Sequence, residues 1–148
     1  MWRAVSIPET PESAGLRVFI FRQSARGLTC THHWAQNPIS EEVGLTLKSS
    51  TDRADWAVFR ALSDRSVCLQ IVDRRRQKKT ARSVKVSPQI TCVLAAPILR
   101  QDGSLWGVVD FDASSQAGAT LLSTSVAKAT LFQLAQHLKL ILSLDDPD

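Results

Sequence analysis

The stretch from Ile90 to Ala113, ITCVLAAPILRQDGSLWGVVDFDA, limits the possible folds of this chain more than any other. Two apolar runs flank Asp102-Gly103, a dipeptide that favours a two-residue type I′ turn between antiparallel strands. The sequence therefore predicts a β-hairpin. Because facing residues of an antiparallel pair share a side of the sheet, folding about this turn predicts four facing pairs: Arg100 with Leu105, Ile98 with Gly107, Ala96 with Val109, and Leu94 with Phe111.

Both faces of the predicted hairpin are mainly apolar. The four pairs make one face, and the other carries Val93, Ala95, Pro97, Leu99, Trp106, Val108, Asp110 and Asp112. A hairpin at a protein surface commonly keeps one polar face in water. We therefore expect these two strands at the centre of a sheet that other elements cover on both sides.

The run VLAAPILRQDGSLWGVVDFDAS and the amphipathic segment after it resemble the closing hairpin and last helix of a GAF domain, whose members read small-apolar strand, polar turn, aliphatic-Gly-Val strand and Asp-x-Asp. In element order the resemblance extends from Leu16 to Leu144, and at the residue level it is confined to the hairpin. It implies an α/β (α+β) fold of the GAF/PAS-like type, with a central antiparallel sheet of about five or six strands flanked by helices on both faces. It also implies a regulatory, ligand-binding or dimerising module of a signalling protein, without naming the ligand.

The chain length of 148 residues fits one domain. We expect an N-terminal arm over residues 1–15, a single GAF-like domain over 16–144 and a tail over 145–148. No apolar run approaches the ~20 residues that span a bilayer, and the first residues lack a signal-peptide pattern. These features predict a cytoplasmic protein with no membrane partner. The net charge of +4 permits an anionic partner without specifying one.

Other segments predict a second hairpin, a helix and a further strand. Residues 16–24 are rich in β-branched and aromatic side chains, and residues 28–34 alternate, which together predict the second hairpin. The side chains of residues 50–52 can cap a helix of about three turns that ends near Ser63-Asp64. A strand over 66–73 follows it.

The last predicted element is an amphipathic helix from Thr120 to about Leu142, capped by Thr120 or Ser123. Its apolar residues form two neighbouring stripes: Leu122, Val126 and Ala129 on one, and Leu131, Leu134, Leu138 and Ile141 on the other. This arc is wider than one core contact requires. We therefore predict a homodimer through the 120–142 helix, in which a second copy covers the surplus surface.

The three cysteines, Cys30, Cys68 and Cys92, are an odd number and do not form a disulfide framework. One GAF branch, the free methionine-(R)-sulfoxide reductases, uses a thiol as nucleophile within a His-Ile-Ala-Cys-Asp run just before the central hairpin. The matching region here, residues 82–89, has no cysteine. We therefore expect a non-enzymatic module with buried thiols, and keep a thiol oxidoreductase as the alternative.

No cofactor or metal is identified by the sequence. Cys30 and His32 are two residues apart and would share a strand face, but zinc needs four ligands and one weak pair does not supply them. The Cys-His dipeptide of phytochrome-like GAF domains and the Asn-Lys-x-Phe-Asp-Glu signature of cyclic-nucleotide-binding ones are both absent. The cofactor therefore stays unknown.

The GAF resemblance implies a ligand site on the sheet face beneath the loops and short helices between the two hairpins. Asp110 and Asp112 would accept hydrogen bonds from a ligand there, or would instead anchor the following loop, residues 114–118. Trp106 is also a candidate core residue, and Arg60 a candidate solvated helix residue. The full set of candidate ligand-binding residues is Trp56, Arg60, Trp106, Asp110 and Asp112.

A basic run is the strongest shift in composition along the chain. It has three interpretations: a solvated loop, a lid over an anionic small molecule, or a nucleic-acid-binding arm. Because the run lacks interleaved aromatic residues for base stacking, nucleic acid is the weaker partner. The candidate anion-binding residues are Arg74, Arg75, Arg76, Lys78, Lys79 and Arg82, and a signalling output partner completes the expected set of partners.

Overall fold

The computed structural model describes residues 15–35, 46–47, 56–72 and 90–142. These residues form six strands, namely β1 Leu16–Ser24, β2 Gly27–Ala35, β3 Thr46–Leu47, β4 Cys68–Ile71, β5 Cys92–Leu99 and β6 Leu105–Ala113. They also form the helices α1 Ala57–Asp64, α2 Gln116–Leu122 and α3 Ser125–Leu142. The strands make one antiparallel sheet in the order β3-β2-β1-β6-β5-β4. The predicted α+β class and strand number are confirmed.

The predicted hairpin lies in the middle of this sheet, with β6 between β1 and β5. Three of the four predicted facing pairs are present, those of Leu94, Ala96 and Ile98. The side that carries these residues packs against α2 and α3, and we call it the α3 face. The other side, which carries Ala95 and Val108, packs against α1, and we call it the α1 face. The expectation that both faces are covered is confirmed.

The turn of this hairpin has three residues, and the predicted two-residue type I′ turn is wrong. The amide of Gly103 donates to the carbonyl of Arg100 at 3.0 Å, and the amide of Arg100 donates to the carbonyl of Ser104 at 2.7 Å. Gly103 has a φ of 83°, whereas Asp102 does not have the positive φ that a type I′ turn requires. The Asp102 carboxylate instead accepts hydrogen bonds from the hydroxyl and amide of Ser104, and these lower its pKa.

The longer turn shifts the register near the tip, so the predicted pairing of Arg100 with Leu105 is wrong. Leu105 faces Leu99, and Gly107 faces Ile98, which leaves Trp106 as an extra residue on β6. Such a bulge turns the side chains beyond it to the opposite faces. Trp106 therefore packs in the core of the α3 face, and not beside Val108 as the sequence predicts.

The second predicted hairpin, β1–β2, is confirmed, and it also contains a bulge. Phe21 faces Cys30 and Ile20 faces His32, so Thr31 is the extra residue on β2. The Thr31 hydroxyl donates to the Ile20 carbonyl at 3.1 Å. Because of this bulge, Cys30 and His32 lie on opposite faces, and the predicted shared face of this pair is wrong.

Helix α1 ends at Asp64, as predicted, while the predicted capping residues 50–52 lie outside the described part of the chain. Within the description the helix begins at Ala57, and its N-cap residue Trp56 makes no side-chain cap. Gln70 of β4 supplies the missing side-chain cap, since its side-chain oxygen accepts a hydrogen bond from the Ala57 amide at 2.9 Å. The neighbouring strand therefore satisfies one of the amides that a helix leaves unpaired at its start.

The predicted helix from Thr120 to Leu142 is wrong, because the segment forms two helices that meet at Ser123-Thr124. The Ser123 hydroxyl donates to the Ala119 carbonyl at 2.7 Å, and the Thr124 hydroxyl donates to the Leu121 carbonyl at 2.8 Å. Thr124 then accepts the Ala127 amide and caps α3. Ser115 caps α2 by accepting the Gly118 amide at 3.0 Å, so neither predicted cap is correct.

Leu131 and Leu138 of α3 are buried against the sheet with Leu122 of α2. Other apolar residues of α3 face solvent, and Val126 is 75% exposed. No described helix is long and apolar enough to cross a membrane.

Candidate functional site

Two adjacent rows of facing residues cross the centre of the α1 face. One row runs through His33, Phe19, Asp110, Ala95 and Cys68. The next runs through Arg17, Asp112, Val93 and Gln70. Their polar members therefore lie side by side on one surface, which we call the carboxylate patch and define as Arg17, His33, Gln70, Asp110 and Asp112.

Arg17 and Asp112 form a bidentate ion pair between β1 and β6. The Nε atom of Arg17 lies 2.6 Å from Oδ1 of Asp112, and the Nη2 atom lies 2.7 Å from Oδ2. The side chains are 14% and 5% exposed, respectively. Two parallel hydrogen bonds between opposite charges fix both position and orientation. The pair therefore ties the two central strands together on the α1 face.

Phe19 lies between cationic and aromatic neighbours of the same patch. The guanidinium carbon of Arg17 is 5.0 Å from the centre of its ring, and the His33 ring is stacked on it at 6.1 Å. The Nδ1 atom of His33 is buried with no hydrogen-bond partner among the described residues. Phe19 also stacks with Phe21, so an aromatic strip runs along β1 beside the carboxylates.

Asp110 lies in the middle of β6, where it faces Phe19 on one side and Ala95 on the other. It is 5% exposed, and Asp112 is 4% exposed. Burying a carboxylate is costly unless other groups compensate its charge. Arg17 compensates the charge of Asp112. A second buried carboxylate two residues away in the central strand of a sheet is typical of residues that serve a site.

The structure brings together some of the candidate ligand residues and separates others. Asp110 and Asp112 share the carboxylate patch, and Trp56 lies near it at the start of α1, where its ring is 6.5 Å from that of Phe59. Arg60 is exposed on α1. Trp106 lies on the α3 face, where Arg22 is 5.9 Å above its ring. The basic residues between 74 and 82 lie outside the described part of the chain.

The loop after β6 is held by Thr91 and Gly15. The Asp112 carboxylate does not hold it through its bonds to Arg17. Thr91 donates its hydroxyl to the carbonyls of Ala113 and Ser115, at 3.0 and 2.8 Å. The Ser114 amide donates to the Gly15 carbonyl at 3.2 Å. These contacts supply the anchoring that the sequence offered as one role of the Asp-x-Asp pair.

Three residues of the patch, Arg17, His33 and Gln70, are not predicted by the sequence reasoning. A signal for Arg17 exists, because it is a charged residue in phase with Phe19 and Phe21 of β1. Its role becomes visible only when β1 is paired with β6. For His33 the signal is misleading, since plain alternation places His32 with Cys30.

The cysteines are all buried. Burial raises the pKa of the Cys92 thiol to about 11, with a further contribution from the nearby Asp112 charge. A thiol nucleophile needs the opposite, a lowered pKa and access to solvent. Among the described residues, no group of three or more His, Cys, Asp or Glu side chains is arranged to hold a metal ion.

Comparison with known proteins identifies the fold. No family model matches the chain, and no curated protein matches it. Among solved structures, it is similar to the GAF domain of a two-component sensor histidine kinase from Bacillus halodurans, at 18% identity and a TM-score of 0.58, over 84% of this chain and 78% of that one.

Two further solved structures show the same similarity. One is the phycocyanobilin-bound GAF domain of a cyanobacterial phytochrome, at 16% identity and a TM-score of 0.60, over 86% of this chain and 74% of that one. The other is a type II free methionine-R-sulfoxide reductase from Thermoplasma acidophilum, at 15% identity and a TM-score of 0.56, over 85% and 77%. The GAF-like fold implied by the sequence is confirmed.

Proposed function

We propose that this GAF-fold chain is a cytoplasmic regulatory module that binds a small molecule on its α1 face and passes the change to an output partner. The main support is the burial of Asp110 and Asp112 in the central strand. Apolar residues of similar size would fill these positions at lower cost to folding. Strongly buried ionisable groups cluster at functional sites. The sensory role draws on the similarity to GAF domains of a sensor kinase and a phytochrome.

The charge of the patch favours a particular kind of ligand. Asp110 and Asp112 bring two negative charges, and Arg17 neutralises one of them through its bidentate pair. A ligand that donates hydrogen bonds or carries a positive charge fits this balance, and the partly buried Trp56 offers aromatic surface to its apolar part. The alternative is an anionic ligand clamped by the basic run, which needs Arg74, Arg75, Arg76, Lys78, Lys79 and Arg82 to close over it.

Native mass spectrometry of the purified full chain tests ligand binding directly. We expect an adduct of constant mass that is lost on denaturation, and we expect Asp110→Asn to weaken its retention at least tenfold, because the neutral amide lowers the negative charge of the patch. Asp64→Asn, an exposed aspartate at the end of α1, is the matched control and should retain the adduct. Absence of an adduct, together with no shift in melting temperature across a panel of amines and neutral hydrogen-bond donors, would refute the proposal.

A thiol enzyme of the free methionine-R-sulfoxide reductase kind is the alternative function. The GAF fold of such an enzyme from Thermoplasma acidophilum is similar to this chain. Against it stand the burial of Cys92 and its pKa of about 11, since the reacting species is the thiolate.

The exposed surface of α3 supports dimerisation as part of this function. Its solvent-facing apolar residues are Val126, Phe132, Leu140 and Ile141. Lys128 and Lys139 are the two lysines of this helix, which contains no Arg, Asp or Glu, so little repulsion opposes a second copy. A homodimer through this surface would place the terminal helices of two chains where a ligand-induced change can alter their packing.

Sedimentation velocity tests the dimer through a double variant, Val126→Lys with Leu140→Lys. We expect the wild type to dimerise and the variant to dimerise at least tenfold more weakly, because the new charges face each other across the apolar surface. The matched control is Gln116→Lys with Ala117→Lys, two exposed residues of α2. Equal weakening in both variants would show that net charge, and not the α3 surface, governs association.

A further inference from the structure

The route from the carboxylate patch to the terminal helices is short and built from specific contacts. Asp112 is followed by residues 113–115, which we call the junction, and α2 begins at Gln116. Successive residues of a strand point to opposite faces. Asp112 therefore belongs to the α1 face, while its neighbour Ala113 is fully buried in the core of the α3 face.

Hydrogen bonds with residues beside β5 and beside β1 hold the junction in place. On the β5 side, the Thr91 amide donates to the Ala113 carbonyl at 2.7 Å, and the Thr91 hydroxyl donates to the carbonyls of Ala113 and Ser115. On the β1 side, Gly15 accepts the Ser114 amide. Ser115 then caps α2 through the Gly118 amide. No flexible linker separates the sheet from the helix.

Strand β1 contacts the patch, and the residue just before it contacts the junction. Arg17 binds Asp112, and Gly15, two residues earlier, binds Ser114. Gly15 has a φ of 57°, in the left-handed region that strains a residue with a Cβ, and a Cβ on it would lie 3.3 Å from the amide nitrogen of Ser114, so this close approach favours glycine. A displacement of Arg17 or Asp112 therefore acts on the junction through two adjacent strands at once.

We propose that the Arg17–Asp112 pair and the Thr91 contacts form a coupling element, through which a ligand at the carboxylate patch changes the stability and position of α2 and hence of α3. The inference deepens the proposed function, on which it rests, by assigning the route of its signal. A ligand that competes for Arg17 or Asp112 displaces the ion pair between β1 and β6. The hydrogen bonds of the junction then transmit this displacement to the first turn of α2. Coupling of this kind is a free energy shared between two sites, so it is measurable from either one.

Amide hydrogen exchange of the full chain, measured by mass spectrometry without added ligand, tests the coupling. We expect Asp112→Asn to accelerate exchange in residues 116–122 about tenfold relative to residues 57–64, because α1 packs on the same face but is not joined to the junction. In a Thr91→Val background the same substitution should change this ratio clearly less than in the wild-type background, because the two hydroxyl bonds of Thr91 are removed and only the backbone bonds of Thr91 and Gly15 to the junction remain. Asp102→Asn, an exposed aspartate, is the matched control and should leave the ratio unchanged.

Two outcomes would overturn the proposal: equal acceleration in α1 and α2, or an effect of Asp112→Asn that persists unchanged with Thr91→Val. Should Asp112→Asn fail to fold, Arg17→Lys replaces it, since it keeps the charge and loses the bidentate geometry. The outcome is independent of ligand binding. A native mass without an adduct, together with no melting-temperature shift across the ligand panel, would refute the proposed function while the coupling persisted, and a bound ligand with no coupling would refute the coupling alone.

Discussion

Replacing Gly107 with alanine should strongly destabilise this protein. A Cβ at this position would overlap the carbonyl oxygen of Phe21, and would lie 3.0 Å from its carbonyl carbon and 3.1 Å from Cα of Arg22. These are backbone atoms of β1, so no side-chain rotation relieves the overlap. β1 and β6 would have to separate, at the cost of the hydrogen bonds between the two central strands.

We expect Gly107→Ala to lower the free energy of unfolding by about 4 kcal/mol or more, in the range of the most damaging substitutions. Because whole domains are stable by only about 5–15 kcal/mol, the variant should be largely unfolded at low urea. Urea denaturation followed by tryptophan fluorescence measures the loss, and Trp106, beside Gly107 in sequence, reports on this part of the sheet.

The matched control for this experiment is Gly103→Ala at the tip of the same hairpin. Gly103 has a φ of 83°, and a Cβ on it would meet no atom within 4 Å other than those of its chain neighbours, so only backbone strain opposes alanine there. A left-handed conformation costs a residue with a Cβ about 1–2 kcal/mol. If Gly107→Ala were no more damaging than Gly103→Ala, β1 would not be seated against β6 at this position, and the central placement of the hairpin would be wrong.

The register of the central hairpin was predictable because two signals agree on it. Alternation of side chains and the Asp102-Gly103 turn give the same pairing for Leu94, Ala96 and Ile98. The error near the tip has a physical cause: Asp-Gly suits a two-residue turn and also a three-residue turn with glycine in last place. The choice depends on φ of Asp102, where the hydrogen bonds to Ser104 favour the longer turn. One extra residue then moves Trp106 to the other face.

Site residues were predictable where a charged residue interrupts an apolar strand. They were not predictable where their position depends on the pairing of strands that are far apart in the sequence. Asp110 and Asp112 stand out in β6 from the sequence alone. Arg17 is 95 residues from Asp112 along the chain, and alternation does not state which strands are neighbours. For His33, the bulge at Thr31 reverses the faces, because a threonine hydroxyl binds the Ile20 carbonyl in place of regular pairing.

Breaking the Arg17–Asp112 pair should have the second largest effect. Arg17→Met leaves the Asp112 carboxylate, 5% exposed, without its cation. Removing one partner of a fully buried pair costs about 3–5 kcal/mol. Arg17 is 14% exposed, so water can partly replace it, and we expect about 2–4 kcal/mol in urea denaturation. Arg22→Met is the matched control on the same strand, and it should cost under about 1 kcal/mol, since Arg22 is exposed and water can replace its contacts, including the one over Trp106.

The double variant Arg17→Met with Asp112→Leu distinguishes the ion pair from simple packing. Because both charges of the pair leave together, neither partner is left buried without its counter-charge, and we expect stability within about 1 kcal/mol of wild type or above it. Ligand retention should nevertheless be lost, because Asp110 is then the one carboxylate left in the carboxylate patch. Stability recovered without ligand binding would show that the pair is kept for the site and not for the fold. If the double variant were instead as unstable as the sum of its single variants, the two side chains would act independently, and the pair would not join β1 to β6.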